Sequence, residues 1–244
     1  GLKTAKRIQN TLQNKKNIND WNAEREFRKI APALNKDAEA LNATELIELI
    51  YGDKWRRFFW IKQIRYEIES LCKIIEKKQP KVILEIGTET GGSLFLISKI
   101  VPDNATIISL DLPGGNFGGG YPEYKTAFYC TFKKKNQTLE LIRGNSHHQE
   151  SLNSVKEILN GRKIDFLFID GDHTYDGVKK DVELYTPLVA EDGFIAMHDI
   201  AKHPVSWNVE VDKCWNEIKN NYRYEEYIEN VNQGWAGIGL LYKS

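Results

Sequence analysis

Short apolar runs and helix-like stretches alternate along the chain from about residue 80 to its end. Each run is followed by a polar turn, and most turns by apolar residues at helical spacing. The runs are typical of buried strands, and that spacing is typical of helices that cover a sheet. The pattern predicts strands at Val82–Leu84, Ile107–Leu110, Thr138–Arg143, Ile164–Ile169, Phe194–Met197, Tyr224–Ile228 and Gly237–Tyr242.

Helices are predicted between these strands, at residues 123–134, 149–159, 175–184 and 209–221. Strands that alternate with helices favour the α/β class, with a parallel sheet covered on both faces. Ligands of such sheets bind at the carboxyl ends of the strands. The polar residues that end the predicted strands are therefore the candidates for a functional site.

Residues 1–79 are expected to form a helical extension, and residues 80–244 the α/β domain. Up to about residue 40 the chain is polar and basic, which fits either a flexible arm or helices packed on another subunit. A short helix is predicted from Thr44 to a break at Gly52-Asp53, and apolar spacing over Trp55–Ile75 predicts a longer one that ends near Pro80. The aromatic residues of this extension make a homo-oligomer the expected assembly.

The chain has 244 residues and a formal net charge of zero. This balance gives no electrostatic reason to expect nucleic acid or an anionic membrane as a partner. The three cysteines lack metal-ligand spacing and are expected to be reduced thiols in a cytoplasmic protein. No apolar run reaches transmembrane length, and the basic N-terminal stretch is not expected to be a signal peptide.

The first predicted strand leads into a glycine-dense turn, in which Glu85 and Gly87 are followed by Gly91, Gly92 and Ser93. Glycines let backbone approach a ligand, and the helix that follows offers unpaired N–H groups. Glu85 can accept a hydrogen bond from an amine or hydroxyl. The turn lacks the GxGxxG spacing of dinucleotide-binding folds.

Two later strand ends carry further polar candidates. Asp111 ends the second strand, where a carboxylate can accept both hydroxyls of a ribose, or can serve as a helix cap or turn residue. Asn145 and Ser146 follow the third strand and can cap the helix that comes next.

Acids and histidines follow the fourth and fifth strands directly. Asp170 ends the fourth strand with His173 three residues on, and His198 and Asp199 end the fifth. Carboxylates on neighbouring strand tips suit a hard divalent cation, with Mg²⁺ as the expected ion. His173 has a structural alternative as the cap of the helix that starts near Thr174.

Two loops at this edge are candidates for a lid and for an acceptor pocket. Gly114–Gly120 predicts either a lid or a plain connector. The segment Ala201–Trp207 follows the fifth strand, so His203 and Trp207 are candidate substrate contacts.

From about Pro80 to Tyr242 the chain resembles the class I S-adenosylmethionine-dependent methyltransferases, among them metal-dependent macrolide-sugar O-methyltransferases and cephalosporin hydroxylase-like proteins. The matching residues are Glu85-Ile86-Gly87, Gly91-Gly92-Ser93, Asp111, Asn145-Ser146, Ile169-Asp170-Gly171-Asp172-His173 and His198-Asp199. The resemblance implies a Rossmann-like, doubly wound, mainly parallel seven-stranded sheet with an antiparallel final strand. It implies S-adenosylmethionine as cofactor, bound by Glu85, Gly87, Thr88, Gly91, Ser93, Asp111, Asn145 and Ser146.

The same resemblance implies that Asp170 and Asp199 bind the cation, and that His173 is the general base. Asp170 is thereby also a catalytic residue. His198 departs from the family pattern, since some relatives have a glutamate there, but a histidine can also bind a metal. The expected reaction is methylation of a hydroxyl on a sugar or glycosylated metabolite.

Two other function classes remain as alternatives. One is a nicotinamide-dependent oxidoreductase on a Rossmann sheet, against which the missing GxGxxG spacing counts. The other is a non-catalytic module that keeps the fold and the cofactor pocket, because fold alone does not determine function.

Overall fold

The structure is a computed structural model that describes residues 2–114 and 120–243. Its α-helices are α1 (Leu2–Asp37), α2 (Ala43–Tyr51), α3 (Arg65–Lys78), α4 (Gly92–Ile100), α5 (Thr126–Tyr129), α6 (Gln149–Leu159), α7 (Tyr175–Tyr185) and α8 (Val211–Ile218). Its strands are β1 (Val82–Ile86), β2 (Thr106–Asp111), β3 (Thr138–Arg143), β4 (Ile164–Ile169), β5 (Val189–His198), β6 (Arg223–Tyr227) and β7 (Ile238–Tyr242). Short 3₁₀ turns join several of them.

The strands form one seven-stranded sheet in the order β3-β2-β1-β4-β5-β7-β6. β1 pairs in parallel with β2 and β4, while β7 is antiparallel to both β5 and β6. Strand order reverses at β1 and β4, the switch point where the carboxyl ends of neighbouring strands leave a crevice. The predicted α/β fold, with its mainly parallel sheet and antiparallel final strand, is confirmed.

The two faces of the sheet bury separate apolar layers because successive strand residues point to opposite sides. On one face, Ile83 and Phe166 pack with the apolar residues of α2, α3, α4 and α5. On the other, Leu84 and Leu167 pack with those of α6, α7 and α8. The helical extension therefore shares a core with the sheet.

Local sequence accounts for several element boundaries. α2 begins at a capping box, in which Asn42 Oδ1 accepts from the Glu45 N–H at 3.0 Å and Glu45 Oε2 accepts from the Asn42 N–H at 2.9 Å. α3 ends at Gln79, which has a left-handed backbone. β3, β4 and α6 have the predicted bounds.

The predicted helix over Trp55–Ile75 is wrong in its first half. A 3₁₀ turn covers Arg56–Phe58, and α3 begins only at Arg65. We call residues 59–64 the connecting segment. The helical spacing there was misleading, because Trp55 and Phe59 reach the core from a turn while Trp60 is 71% exposed.

Two other element predictions need correction. The helix predicted over residues 123–134 is a 3₁₀ turn, the short α5 and a second 3₁₀ turn, which together bury Phe128, Tyr129 and Phe132. The fifth strand, predicted at Phe194–Met197, begins earlier, at Val189, and its register with β4 shifts between Val189 and Phe194. The extra strand residues form a bulge.

At the N-terminus, α1 is a helix from Leu2 to Asp37, so the flexible arm is not what forms. Its described side chains include Phe27, which packs against Phe128 with tilted rings whose centroids are 4.6 Å apart. Within the described part of the chain, no helix is both long enough and apolar enough to cross a membrane.

Candidate functional site

Two cavities open at the carboxyl edge of the sheet, on either side of the turn after β1. The first has a volume of about 270 Å³ and the second about 410 Å³, and Gly87, Asp111 and Gly171 line both. Predicted residues in the wall of the first are Gly87, Thr88, Ser93, Asp111, Asp170, His173, His198 and Asp199. Predicted residues in the wall of the second are Gly87, Asp111, Asn145 and Ser146.

The turn after β1 needs glycine for packing as well as for ligand approach. Gly87 has a φ of 91°, and a Cβ there would lie 2.0 Å from the Asp170 carbonyl oxygen. Gly91 has a φ of 84°, and a Cβ there would lie 2.6 Å from the Tyr129 ring. Any side chain at these positions would push β4 or α5 away from the turn.

Glu85 lies under the turn and not in it. Its carboxylate is fully buried and accepts from Ser93 Oγ at 2.6 Å and Thr88 Oγ1 at 3.2 Å. Burial raises the pKa of Glu85 to about 8, although the two hydroxyl donors act in the opposite direction. Among the described residues that line the two cavities, Glu85 and Gly91 do not occur.

Asp111 ties the turn to β2. Its Oδ2 accepts from the N–H groups of Thr88 and Glu89 at 3.0 and 2.8 Å, and its Oδ1 from that of Leu112 at 2.8 Å. A carboxylate oxygen has two lone pairs, so these bonds leave acceptor capacity for a ligand hydroxyl in either cavity.

Asn145 and Ser146 do not cap α6. The N-cap position belongs to His148, whose side chain makes no capping bond, and Asn145 Oδ1 instead accepts from the His147 N–H at 2.9 Å. The neighbouring His147 lines the second cavity, and its Nε2 approaches Oδ1 of the buried Asp181 at 3.5 Å.

The acids predicted at separate strand tips converge in the first cavity. One ligand atom from each of Asp170, His173 and Asp199 lies within 4.8 Å of the other two. His173 Nδ1 is 2.7 Å from Asp199 Oδ2. Two carboxylate oxygens and an imidazole nitrogen form a donor set that fits a divalent cation.

His198 lies against Asp170 in the wall of the same cavity. Its Nδ1 is 3.0 Å from Asp170 Oδ1, and among the described residues its buried Nε2 has no hydrogen-bond partner. From there its imidazole can hold the Asp170 carboxylate in one orientation.

Charge and burial act together on this cluster. Burial lowers the pKa of His173, but the hydrogen bond to Asp199 and the charge of Asp170 outweigh it, so that pKa is raised. Burial raises the pKa of Asp199, but the charge of His198 and the bond from His173 hold it well below its ordinary value. Asp199 also has a left-handed backbone, φ 64°, the kind of strain that concentrates at functional sites.

The structural alternative for His173 is wrong. The N-cap of α7 is Thr174, whose side chain accepts from the Gly177 N–H at 3.1 Å. Asp172 supports this cap, because its Oδ1 accepts from the N–H and the hydroxyl of Thr174. His173 does not cap α7, and it lies in the wall of the first cavity.

Contributions from the helical extension could not be predicted. Gln63 Nε2 donates to Asp170 Oδ2 at 2.7 Å, and Lys62 Nζ is 2.6 Å from Glu89 Oε1 in the glycine turn. Both residues belong to the connecting segment, which the apolar spacing had assigned to a helix. Their only sequence signal is a polar pair between apolar residues, which is too common to be informative.

His203 and Trp207, the candidate substrate contacts, line the first cavity, as does Trp235 from the loop between β6 and β7. The Gly114–Gly120 loop lies mostly outside the described residues, so its role as lid or connector stays a prediction.

With this geometry in place, comparison with known proteins identifies the central segment. Residues 84–200 match the model of a family described as "Methyltransferase domain". This segment is a methyltransferase domain. It runs from within β1 to just beyond Asp199 and so contains both the glycine turn and the acid cluster. The predicted class I methyltransferase fold is confirmed.

Individual proteins also resemble the chain, at low sequence identity. The uncharacterized protein R132 of Acanthamoeba polyphaga mimivirus is 28% identical over 162 residues, which cover 66% of this chain and 68% of that protein. The O-methyltransferase from Bacillus cereus, solved with S-adenosylhomocysteine, has a TM-score of 0.54 at 15% identity, covering 91% of each chain. The O-methyltransferase TomG from Streptomyces achromogenes, solved with S-adenosylmethionine, has a TM-score of 0.53 at 12% identity, covering 86% of this chain and 95% of that one.

Proposed function

We propose that this methyltransferase moves a methyl group from S-adenosylmethionine to a hydroxyl oxygen of a small molecule, a sugar or glycosylated metabolite. The observation that carries the proposal is the meeting of Asp170, His173 and Asp199 in the cavity that the glycine turn also lines. The solved O-methyltransferases that share the fold bind S-adenosylmethionine or its product, which supports the same donor.

For the donor, we propose that the two cavities together hold the cofactor across Gly87. Asp111 would accept the ribose hydroxyls, since it borders both cavities. Asn145 and Ser146 would contact the adenine in the second cavity. Thr88, Gly91 and Ser93 would shape the turn, and Glu85 would support it from beneath by holding two of its hydroxyls.

For the acceptor, the reaction needs a nucleophilic oxygen in line with the sulfonium methyl. His173 would take the hydroxyl proton while the new O–CH₃ bond forms and the S–CH₃ bond breaks, which leaves neutral S-adenosylhomocysteine. The bond from His173 Nδ1 to Asp199 orients the ring and favours the imidazolium that results.

We further propose that Asp170 and Asp199 hold a divalent cation, Mg²⁺ above all, with His173 or His198 nearby. A bound cation would lower the pKa of an adjacent acceptor hydroxyl. The donor set described above fits this role, and the bonds from Gln63 and His198 to Asp170 fix that carboxylate. If the cation takes His173 as a ligand, its role as base passes to another group, so the two assignments are experimentally separable.

Cofactor binding is the experiment that tests the proposal. Isothermal calorimetry is expected to give a micromolar Kd for S-adenosylmethionine and S-adenosylhomocysteine, and no heat with NAD⁺ or NADH. Binding of NAD⁺ without any response to S-adenosylmethionine would favour the oxidoreductase instead. Binding of S-adenosylmethionine with no methyl transfer to any hydroxyl compound would favour a non-catalytic module.

For location, we propose the cytoplasm. All three cysteines are free thiols, Cys130 exposed and the other two buried, which fits a reducing compartment.

A further inference from the structure

The loop between β6 and β7 brings Trp235 into the wall of the first cavity. Trp235 is 37% exposed, and Trp207, from the segment after β5, is 54% exposed in the wall of the same cavity. We call these two residues the aromatic pair. Large aromatic side chains left partly in water beside a cluster of acids are typical of a surface that a ligand covers.

The backbone on both sides of Trp235 is held in an unusual conformation. Gly234, Ala236 and Gly237 have φ values of 72°, 60° and 87°, and such a value is strained for an alanine. Hydrogen bonds keep it there, since the Ala236 N–H donates to His203 Nε2 at 3.2 Å and the Ala201 N–H donates to the Ala236 carbonyl at 2.9 Å. The two loops that carry the aromatic pair are thus fastened together.

A second fastening comes from Glu67 on α3, a carboxylate with no exposed surface. Its Oε1 accepts from the Glu229 N–H at 3.2 Å and from Gln233 Nε2 at 2.7 Å, and its Oε2 accepts from the Gly237 N–H at 2.8 Å. A buried carboxylate is expensive unless its oxygens are satisfied, and here three donors from one loop satisfy them. Glu67 therefore sets where this loop sits.

We propose that the aromatic pair stacks on the ring that carries the acceptor hydroxyl, and that Glu67 is a positioning residue that holds Trp235 in place for it. This proposal rests on the proposed methyl transfer and specifies its acceptor. The proposed acceptor contains a six-membered ring with two adjacent hydroxyls. Its flat face packs on tryptophan while its hydroxyls face Asp170 and Asp199. A pyranose and an aromatic diol both have this chemistry.

The test uses two probes, methyl β-D-glucopyranoside and catechol, titrated into the full chain with S-adenosylhomocysteine and Mg²⁺ present. At least one probe is expected to bind the wild type, and the one that binds tells a sugar acceptor from an aromatic one. Trp207→Ala and Trp235→Ala are each expected to lower the affinity for that probe by roughly 5- to 30-fold. This is the effect expected from the loss of one stacking contact. Trp60→Ala is the matched control, because Trp60 is exposed but lines a different cavity.

Two results would overturn the proposed role of the aromatic pair in binding the acceptor ring. One is failure of both probes to bind the wild type, and the other is an unchanged probe affinity in Trp235→Ala. The affinity for S-adenosylhomocysteine is measured first on every variant. If the wild type binds it and no ring binds, only the aromatic pair is refuted. If S-adenosylhomocysteine itself does not bind, the proposed function fails.

Glu67 is tested by a double-mutant cycle. Glu67→Gln puts an amide donor against the donors of the loop. This change is expected to lower the affinity for the probe about as much as Trp235→Ala does, and to leave the affinity for S-adenosylhomocysteine unchanged. It should also speed hydrogen exchange over residues 229–237. Combined with Trp235→Ala it should add no further loss, because both changes remove the same contact. Additive losses would show that Glu67 is merely structural.

Two variants keep this test decisive. Gln233→Ala removes one of the three donors while the Glu67 carboxylate keeps the other two, and it serves if Glu67→Gln does not fold. Val231→Ala changes an 88% exposed side chain in the same loop and is expected to leave probe binding as in the wild type.

Discussion

His173 and Glu85 are two ionisable side chains of the site whose surroundings shift their pKa values. His173 is held through Nδ1 by Asp199, while Glu85 is enclosed under the glycine turn. The first is a candidate for proton transfer and the second for structural support. Each assignment has its own test.

The base assignment is tested by removing the imidazole. His173→Ala is expected to lower kcat by about 10²- to 10⁴-fold with the acceptor that the wild type methylates, since that is the usual contribution of a positioned base. Transfer of labelled methyl groups measures it. His148→Ala, at an exposed histidine, should retain wild-type turnover. A wild-type kcat in His173→Ala would exclude the base role.

Glu85 should make stability depend on pH. Its pKa is about 8 in the folded protein, against an ordinary value of 4.5. Between those values the folded protein keeps a proton that the unfolded chain releases, so the free energy of unfolding falls as pH rises through this window. Glu85→Gln should flatten that fall in urea denaturation at pH values between about 5 and 8. Glu140→Gln, at an exposed position on β3, is the control, and equal pH slopes in wild type and Glu85→Gln would contradict the account.

Residue types and strand ends were sufficient to predict that Asp170, His173 and Asp199 meet. Parallel strands bring their carboxyl ends to one edge of the sheet. An acid that directly follows an apolar strand must therefore lie at that edge. The orientation of His198 toward Asp170 could not be predicted, because it depends on a side-chain rotamer. Glu85 was expected to face the ligand, but its side chain points beneath the turn, where its carboxylate accepts from the hydroxyls of Ser93 and Thr88.

At the scale of elements, the strands were predictable and the connecting segment was not. The central strands β1 and β4 are mostly apolar, each with a single acid, and burial on both faces favours that pattern. The connecting segment has helical spacing, but Gln63 bonds outside it. Its side chain donates to Asp170 just after β4, and its carbonyl accepts from the Tyr51 hydroxyl. Tertiary contacts of this kind override local preference.

Docking of the connecting segment on α4 is the basis of the third prediction. A Cβ at Gly92 would lie 2.4 Å from Ile61 Cγ1, so Gly92→Ala forces the two elements apart. It is expected to lower the free energy of unfolding by about 1–3 kcal/mol. In an Ile61→Ala background, Gly92→Ala should lower the free energy of unfolding by less, because the Ile61 side chain that obstructs the new Cβ is gone. Urea denaturation of the four proteins gives the coupling, and strictly additive effects would show that the two residues do not touch.

For the whole molecule, the helical extension and the sheet act as one unit. The extension shares an apolar layer with the sheet and supplies Gln63 to the acid cluster and Glu67 to the loop of Trp235. The sequence places these residues more than a hundred positions from their partners, so spacing alone could not connect them.

The assembly state follows from the same extension. Trp21 and Trp60 are 60% and 71% exposed, so we propose that they pack in a homo-oligomer. Light scattering at micromolar concentration should give a multiple of the 28.1 kDa chain mass. Trp21→Ser should shift the distribution toward smaller species, and a wild-type monomer would refute the proposal.

The most direct test of the central claim is a crystal structure with S-adenosylhomocysteine and Mn²⁺, with data collected at the manganese edge. The account predicts cofactor density across Gly87, with its ribose at Asp111, and an anomalous peak beside Asp170 and Asp199. Cofactor density elsewhere, or the two carboxylates turned away from the cofactor sulfur with no peak between them, would contradict it.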